Sequence, residues 1–371
     1  MSSKNRITSI DFVRGIALIL IIILHHIGHF NFYLKPNFQP NWLESFDYFT
    51  IRIFYYIVAE KAFGIFSILF GWSFYLMYSS KIQLYELLRK HIPRMGILIG
   101  FGFLHLVFYK GDILIIYGII GVFLPFFSFL KPKLQVVVII VLLVNPLLVY
   151  NCLQEFINGV NINKINYVIP NPLFNQTIAN GSFIEVCNLN FSEGIFNTLK
   201  STWIKGRAFS IAGFFGFGYF IGKQQWISKL LQFKKHIFIA SAIIAFLLLL
   251  NSSKLIDNKS QLFYSISYYI NIFLTFIYLW SLIYFYPFFK NSSIEAMGRM
   301  GLTNYVLSSI IGTFIYYGWG LKAYEYTGYF LSLLISLLII LFQVKFSKIY
   351  INKFKQGPLE YLWRKCTSYL T

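Results

Sequence analysis

The sequence predicts an all-α polytopic transmembrane helical bundle of about ten helices, one membrane domain over residues 1–371 with both termini cytoplasmic. Three observations predict it. Hydrophobic residues make up 57% of the chain and charged residues 12%, more apolar surface than a soluble core can hide. Apolar stretches near the ~20 residues that a helix needs to cross a hydrocarbon core recur from Ile10 to Tyr350. Short basic segments separate them, as the positive-inside rule requires.

In order, the expected crossings are 10–30, 59–78, 95–109, 112–130, 134–153, 208–222, 236–250, 264–288, 302–321 and 329–346. The first has a basic start and an apolar run that a signal peptide would share. No small-x-small cleavage site follows, so it is read as an uncleaved helix. The stretch over 51–78 is too long for one untilted crossing, and it resolves into an interfacial piece up to about Val58 followed by the second helix. A tight hairpin at Gly111 joins the third and fourth helices. With the N-terminus inside, about two thirds of the 32 Lys and Arg fall on the cytoplasmic side. Residues 154–207 form an extracytoplasmic loop, rich in Asn and Gly, and 347–371 a cytoplasmic tail. Cys152 and Cys187 share the outer side, where a disulfide could form.

The net charge of +19 raises nucleic acid as a partner. The basic residues punctuate helices instead of forming a stripe, and this excludes it.

Function is sought in the polar residues inside the apolar stretches, because ionisable groups there face the bundle interior or a polar cavity. The first helix carries Asp11, Arg14, His25 and His29. Eleven residues at 100° bring His25 to within about 20° of Arg14, roughly 16 Å away along the axis. A single stripe therefore runs from a charged pair at one end to imidazoles at the other, with Asp11 a turn below Arg14 and His29 a turn above His25. The alternative is an interfacial ion pair and histidines that merely cap the outer end. His25 and His29 have metal-ligand spacing, but neither an HExxH motif nor a third ligand accompanies them, and no metal is expected.

The hairpin contributes His105, Asp112 and Tyr117. Asp112 can start the fourth helix and orient His105, as a general base requires. A structural hydrogen bond closing the hairpin would use the same pair. Glu60 and Lys61 stand at the outer entrance of the second helix, near the histidines, or form a plain surface pair. At the cytoplasmic ends Arg14, Arg89, Arg94 and Arg299 gather, with Thr303, Asn304 and Tyr305 opening the ninth helix. Guanidinium groups and a helix N-terminus suit a phosphate-rich ligand, and topology alone would also put arginines there.

These residues fall in motifs. Ser9-Ile10-Asp11-Phe12-Val13-Arg14-Gly15 opens the chain, and Glu60-Lys61 leads into Phe66-Ser67-Ile68-Leu69-Phe70-Gly71. Arg94, the run Gly102 to His105, and Gly111-Asp112-Ile113-Leu114 with Tyr117 follow. Gly298-Arg299-Met300-Gly301-Leu302-Thr303-Asn304-Tyr305 and Gly357-Pro358-Leu359-Glu360-Tyr361-Leu362-Trp363-Arg364 close the set. In this order they resemble the YeiB-like family of bacterial membrane proteins of unknown function (domain of unknown function 418), over nearly the whole chain. That family is distantly similar to the transmembrane acyltransferases, including the acyltransferase-three proteins and the lysosomal heparan-glucosaminide acetyltransferase. In the acyltransferase-three pattern a functional histidine lies eleven residues beyond an Arg-Gly pair, as His25 does after Arg14-Gly15. YeiB-like members more often have Asn there.

The resemblance implies a bacterial cell-membrane protein that transfers an acyl group, usually acetyl. The donor would be cytosolic acyl-CoA, a co-substrate and not a bound cofactor, and the acceptor an extracytoplasmic glycan or lipid-linked group. On that reading Arg14, Arg94, Arg299 and Asn304 hold the donor nucleotide. His25 or His105 is the base, Asp112 orients His105, and Lys61 or Tyr117 stabilises negative charge. Direct transfer is expected, since no Ser or Cys lies in a nucleophile motif. Two other classes fit the same residues: a proton-coupled transporter using them as a relay, and a non-catalytic membrane partner or immunity-type protein in which they are only structural.

Overall fold

The computed structural model describes residues 8–32, 34, 36–78, 82–159, 172–225 and 260–370. Among these residues every regular element is helical. Among the described residues four helical stretches are long and apolar enough to cross a membrane: Thr8–Ile27, Trp42–Met77, Gln261–Phe289 and Tyr329–Phe354. A fifth is added if Pro132–Val144 and Pro146–Asn158, bent by 43°, form one span. The expected helix at 236–250 lies outside the described residues.

Helix α1 (Thr8–Ile27) is surrounded by α2 (Trp42–Val58), α3 (Lys61–Met77), α13 (Gln261–Phe289), α14 (Ser292–Arg299), α15 (Gly301–Tyr316) and α16 (Tyr329–Phe354). Helix α4 (Leu84–Leu106) packs on α5 (Leu114–Gly121), followed by α6 (Leu124–Ser128), α7 (Pro132–Val144) and α8 (Pro146–Asn158). Then come α9 (Pro172–Asn180), α10 (Phe183–Leu189), α11 (Ile195–Ile204) and α12 (Arg207–Lys223), and the described chain closes with α17 (Pro358–Leu370).

Helix α16 shows a membrane-compatible pattern of side chains. Its inward face carries Ser332, Ser336, Gln343 and Ser347, all at 0% exposure, while Leu338, Leu341 and Phe342 on the outside are 69%, 58% and 56% exposed. Polar groups inside and bare hydrocarbon outside suit a lipid surround, where small and hydrogen-bonding side chains hold helices together. Close approach does the same between α1 and α14. A Cβ on Gly298 would strike the Asp11 carbonyl, and one on Gly15 the Ile294 carbonyl, so both positions need glycine for the two backbones to touch.

Several expectations change in detail. The first helix ends at Ile27, short of residue 30, because Gly28 is followed by three left-handed residues, His29, Phe30 and Asn31 (φ 42°, 55° and 64°). The break expected near Val58 is present, with Glu60 left-handed (φ 66°) between α2 and α3. The third helix begins at Leu84 and ends at Leu106. The segment expected at 112–130 is two short helices, and that at 134–153 bends at Asn145, whose side chain caps Leu148 N and reaches the Gly206 carbonyl. The loop over 154–207 contains α9 to α11, and residues beyond 346 continue α16 and then form amphipathic α17. Cys152 and Cys187 are free thiols that contact Ser265 and the Val107 carbonyl, so they do not pair.

Candidate functional site

At the histidine end of α1, two helices of different origin bring imidazoles to one place. His105 sits on the last turn of α4, and Asp112 lies just before α5 across the turn. Gly102 makes the approach feasible: a Cβ there would sit 2.7 Å from Asp112 Oδ2. One carboxylate oxygen of Asp112 accepts the Ile115 backbone N–H at 2.8 Å, and the other lies 2.8 Å from His105 Nδ1. Asp112 is 2% exposed and His105 1%. A carboxylate that accepts from Nδ1–H fixes the tautomer and leaves the lone pair on Nε2. That Nε2 is buried and has no hydrogen-bond partner.

Tyr305 of α15 packs on the His105 ring at 4.8 Å between centroids and on His25 at 6.1 Å, and Tyr109 lies 5.2 Å from His25 and 5.9 Å from His105. His25 Nδ1 is likewise buried without a partner. The structure thus places His25, His105 and Asp112 in one aromatic-walled chamber. Asn31 fixes its wall by donating to the Tyr109 hydroxyl at 2.7 Å. The segment α10–α11 covers the hairpin from outside: the Thr198 hydroxyl donates to the Lys110 carbonyl at 2.9 Å. Beneath it a cavity of about 10 Å³, lined by Lys110, Asp112, Ile115 and Thr198 among others, has room for one water-sized group.

Of the expected partners, Lys61 lies elsewhere, whereas Tyr117 is within electrostatic reach of Tyr305. Buried Lys61 donates to the Tyr56 carbonyl, and Glu60 meets Arg207 at 3.8 Å and Asn271 at 3.0 Å. These contacts tie α2, α12 and α13 together. The Tyr117 hydroxyl faces α3, 2.6 Å from Ser67 Oγ. His29 also departs from the expected stripe. The left-handed turn swings it to the other side of α1, where it stacks on Tyr316 and meets Ser332, so the His25–His29 spacing does not present two ligands side by side. Among the described residues no group of His, Cys, Asp or Glu could hold a metal ion. Three left-handed non-glycine residues in a row cost roughly 1–2 kcal/mol each. The Phe30 N–H to His25 carbonyl bond (2.8 Å) and the Tyr317 hydroxyl on the Phe30 carbonyl (2.8 Å) hold them.

At the opposite end of α1, Arg14 lies 3.3 Å from Asp11 and 2.9 Å from Ser73 and runs alongside Gly301. Arg299 donates to the Lys355 carbonyl at 2.6 Å, and the Arg94 guanidinium lies 4.1 Å from the Trp363 ring centre. The start of α15, which the sequence offers to a phosphate, already holds an anion. Glu360 of α17 accepts from Leu302 N at 2.8 Å, Thr303 N at 3.1 Å and the Thr303 hydroxyl at 2.6 Å. Asn304 is fully buried and donates to Ser347 at 2.8 Å, joining α15 to α16.

Sequence reasoning missed Tyr109 and Tyr305 as walls, Glu360 as a cap, and the group His26, His29, Tyr316 and Ser332. A signal for the last existed: Ser332, Ser336, Gln343 and Ser347 recur on one face of an otherwise apolar helix.

The fold and chamber define a class: an all-helical, membrane-compatible protein with a buried His–Asp pair. Residues 221–369 match the family described as "Protein of unknown function (DUF418)". The chain is 24% identical to the uncharacterized protein YxaH of Bacillus subtilis (strain 168), over 98% of this chain and 95% of the relative. A shorter region, 20% of this chain and 19% of the relative, is 39% identical to the uncharacterized protein YeiB of Escherichia coli (strain K12). An uncharacterized 39.9 kDa protein in the amylase 3' region of Bacillus acidopullulyticus is 32% identical over 34% of this chain and 36% of its own length. The chain is thus similar to the DUF418 family over residues 221–369 and to YxaH over nearly its whole length. No solved structure matches it.

Proposed function

We propose that the chain is a cell-membrane acyltransferase that moves an acyl group, acetyl by preference, from cytosolic acyl-CoA to a hydroxyl or amine of an extracytoplasmic glycan or envelope lipid. The observation that carries the reading is the His105–Asp112 pair, whose carboxylate holds Nδ1 and whose Nε2 is buried with no partner. A lone pair kept free beside aromatic walls is what a general base needs, and a structural hydrogen bond alone would leave no reason for it. In this proposal ten crossings keep both termini in the cytoplasm, so the arginine end faces the donor and the histidine end the acceptor.

The donor's phosphates meet Arg14, Arg94 and Arg299, and its acyl arm enters along the stripe on α1 toward His25. His105 takes the proton of the acceptor as its oxygen or nitrogen forms the bond to the acyl carbon. The carbon–sulfur bond breaks, and the proton passes to the departing thiolate, giving free CoA. Tyr305, between the two imidazoles, stands where negative charge develops on the acyl oxygen. Asn304 supports this end through α16 instead of contacting the donor, and Lys61 and Tyr117 hold helices together. The test is acceptor-dependent release of CoA thiol by the purified protein. Loss of release in His105→Ala with the fold intact supports the reading, and equal release from that variant removes it.

A further inference from the structure

On the other face of α1 lies a second group of polar side chains, none of them used above. Ser332 Oγ is 2.7 Å from His29 Nε2. The His29 ring is stacked on Tyr316, 4.5 Å between centroids at 20°. The Tyr316 hydroxyl is within hydrogen-bond reach of Ser332 and 3.2 Å from His26 Nδ1. Ser332, Tyr316 and His26 are at 0% exposure and His29 at 3%.

Most serines in apolar helices give their hydroxyl proton to a carbonyl three or four residues back. Ser308, Ser309 and Ser336 do this, bonding to the carbonyls of Tyr305, Tyr305 and Leu333. The bond of Ser332 runs instead to an imidazole 303 residues away. That imidazole is held there by the left-handed turn over His29, Phe30 and Asn31, and strained backbone persists where the surroundings fix a group for use. A hydroxyl with a base within hydrogen-bond reach, the base's ring held by stacking on Tyr316, has the core of an activated nucleophile. No sequence motif announces it, because the two residues come from opposite ends of the chain.

We infer that Ser332, with His29 as its base, is a covalent acyl-accepting site separate from the His105–Asp112 chamber, taking a small acyl group from an activated ester or thioester. His29 Nε2 accepts the Ser332 proton as Oγ forms its bond to the acyl carbon. The bond from that carbon to the leaving sulfur or oxygen breaks, and the leaving group takes the proton from His29. The Tyr316 hydroxyl, beside Oγ, donates to the tetrahedral oxygen. In the second half an acceptor hydroxyl or water gives its proton to His29 and attacks the ester, and Oγ leaves with that proton. Phe30, packed 5.4 Å from His25 and 5.1 Å from His26, is the wall between the two sites.

The test uses the full-length protein in detergent with p-nitrophenyl acetate, an activated ester that needs no nucleotide pocket, followed by acid quench and peptide mass spectrometry. One hydroxylamine-labile acetyl group on the peptide containing Ser332 is expected. It should be absent in Ser332→Ala and form on the order of 10²–10⁴-fold more slowly in His29→Gln. Because the adduct is read in the unsubstituted protein, misfolding of a variant cannot hide the result. A Ser332 peptide that stays unmodified at millimolar reagent overturns the inference. The inference extends the acyl-transfer reading but fails separately from it. Acetyl on Ser332 without transfer from acetyl-CoA to any glycan keeps this site and removes that donor. Transfer from acetyl-CoA to a glycan with the Ser332 peptide unmodified keeps the donor and removes this site.

Discussion

The two ends of α1 leave different kinds of buried polar atom without a partner. At the arginine end most charged groups are anchored within the protein: Arg14 by Asp11 and Ser73, Arg299 by the Lys355 carbonyl, and Glu360 by the first backbone N–H groups of α15, while single atoms such as Arg94 Nε and Asn304 Oδ1 stay without a hydrogen-bond partner. At the histidine end three imidazole nitrogens, His25 Nδ1, His26 Nε2 and His105 Nε2, are buried without a partner. An unsatisfied buried polar atom costs on the order of 1–3 kcal/mol, so a fold that keeps several together holds them for something other than stability. The difference lies in the kind of atom left over: at the arginine end a donor or an amide oxygen on a side chain anchored elsewhere, at the histidine end imidazole nitrogens that can take up or give a proton.

The largest effect should come from His105→Ala. If Nε2 is the base, acyl transfer falls by about 10²–10⁴-fold while the protein stays inserted and its melting temperature barely moves, as thiol release and a thermal shift would show. An unchanged rate would make the histidine end as structural as its counterpart. Asp112→Asn comes next, with a smaller loss in rate, because an amide can still cap Ile115 N but does not stabilise a positive imidazole. A loss equal to that of His105→Ala would mean the carboxylate has a larger part than orientation.

Arg14→Ala tests the other end. Loss of a charge-assisted contact to phosphate, about 1.5–3 kcal/mol, should raise the apparent KM for acyl-CoA by roughly 10- to 100-fold with little change in kcat. A drop in membrane-inserted protein with KM unchanged would show that Arg14 serves only the α1–α3 tie to Ser73. The smallest effect is expected from Glu360→Ala, which removes a helix cap. About 1 kcal/mol of stability should be lost, read from thermal unfolding in detergent. An increase in stability would mean that the carboxylate is strained in its place.

Much of the architecture is written in the sequence, since composition and apolar length alone demand an all-helical, membrane-compatible chain. The pairing of His105 with Asp112 was also readable, because seven residues and a tight turn leave the two side chains few places to go. What could not be read depends on backbone conformation at single residues. Gly28 marks the end of α1, but nothing in the sequence says that His29, Phe30 and Asn31 turn left-handed together and carry His29 away from His25. Contacts between distant segments are hidden for the same reason. Glu360 is a strong partner for the start of α15 only because α17 folds back on it, and Ser332 meets His29 only through tertiary packing. The place of Lys61 was not readable either, because burial beside a backbone carbonyl looks, in sequence, the same as a charge poised at a site.

The central claim is that acyl groups pass from the arginine side to the histidine side. Orientation can be settled alongside it: a reporter fused after Thr371 should be active in the cytoplasm, and one inserted near Asn180 outside it. The most direct measurement incubates sealed inside-out membrane vesicles containing the protein with radiolabelled acetyl-CoA, which cannot cross the bilayer, and follows label into lumenal glycan or lipid. The account predicts labelled lumenal material with the unsubstituted chain and none above background with His105→Ala. Equal lumenal label from vesicles with and without the protein, with the protein shown to be folded and inserted, would contradict it.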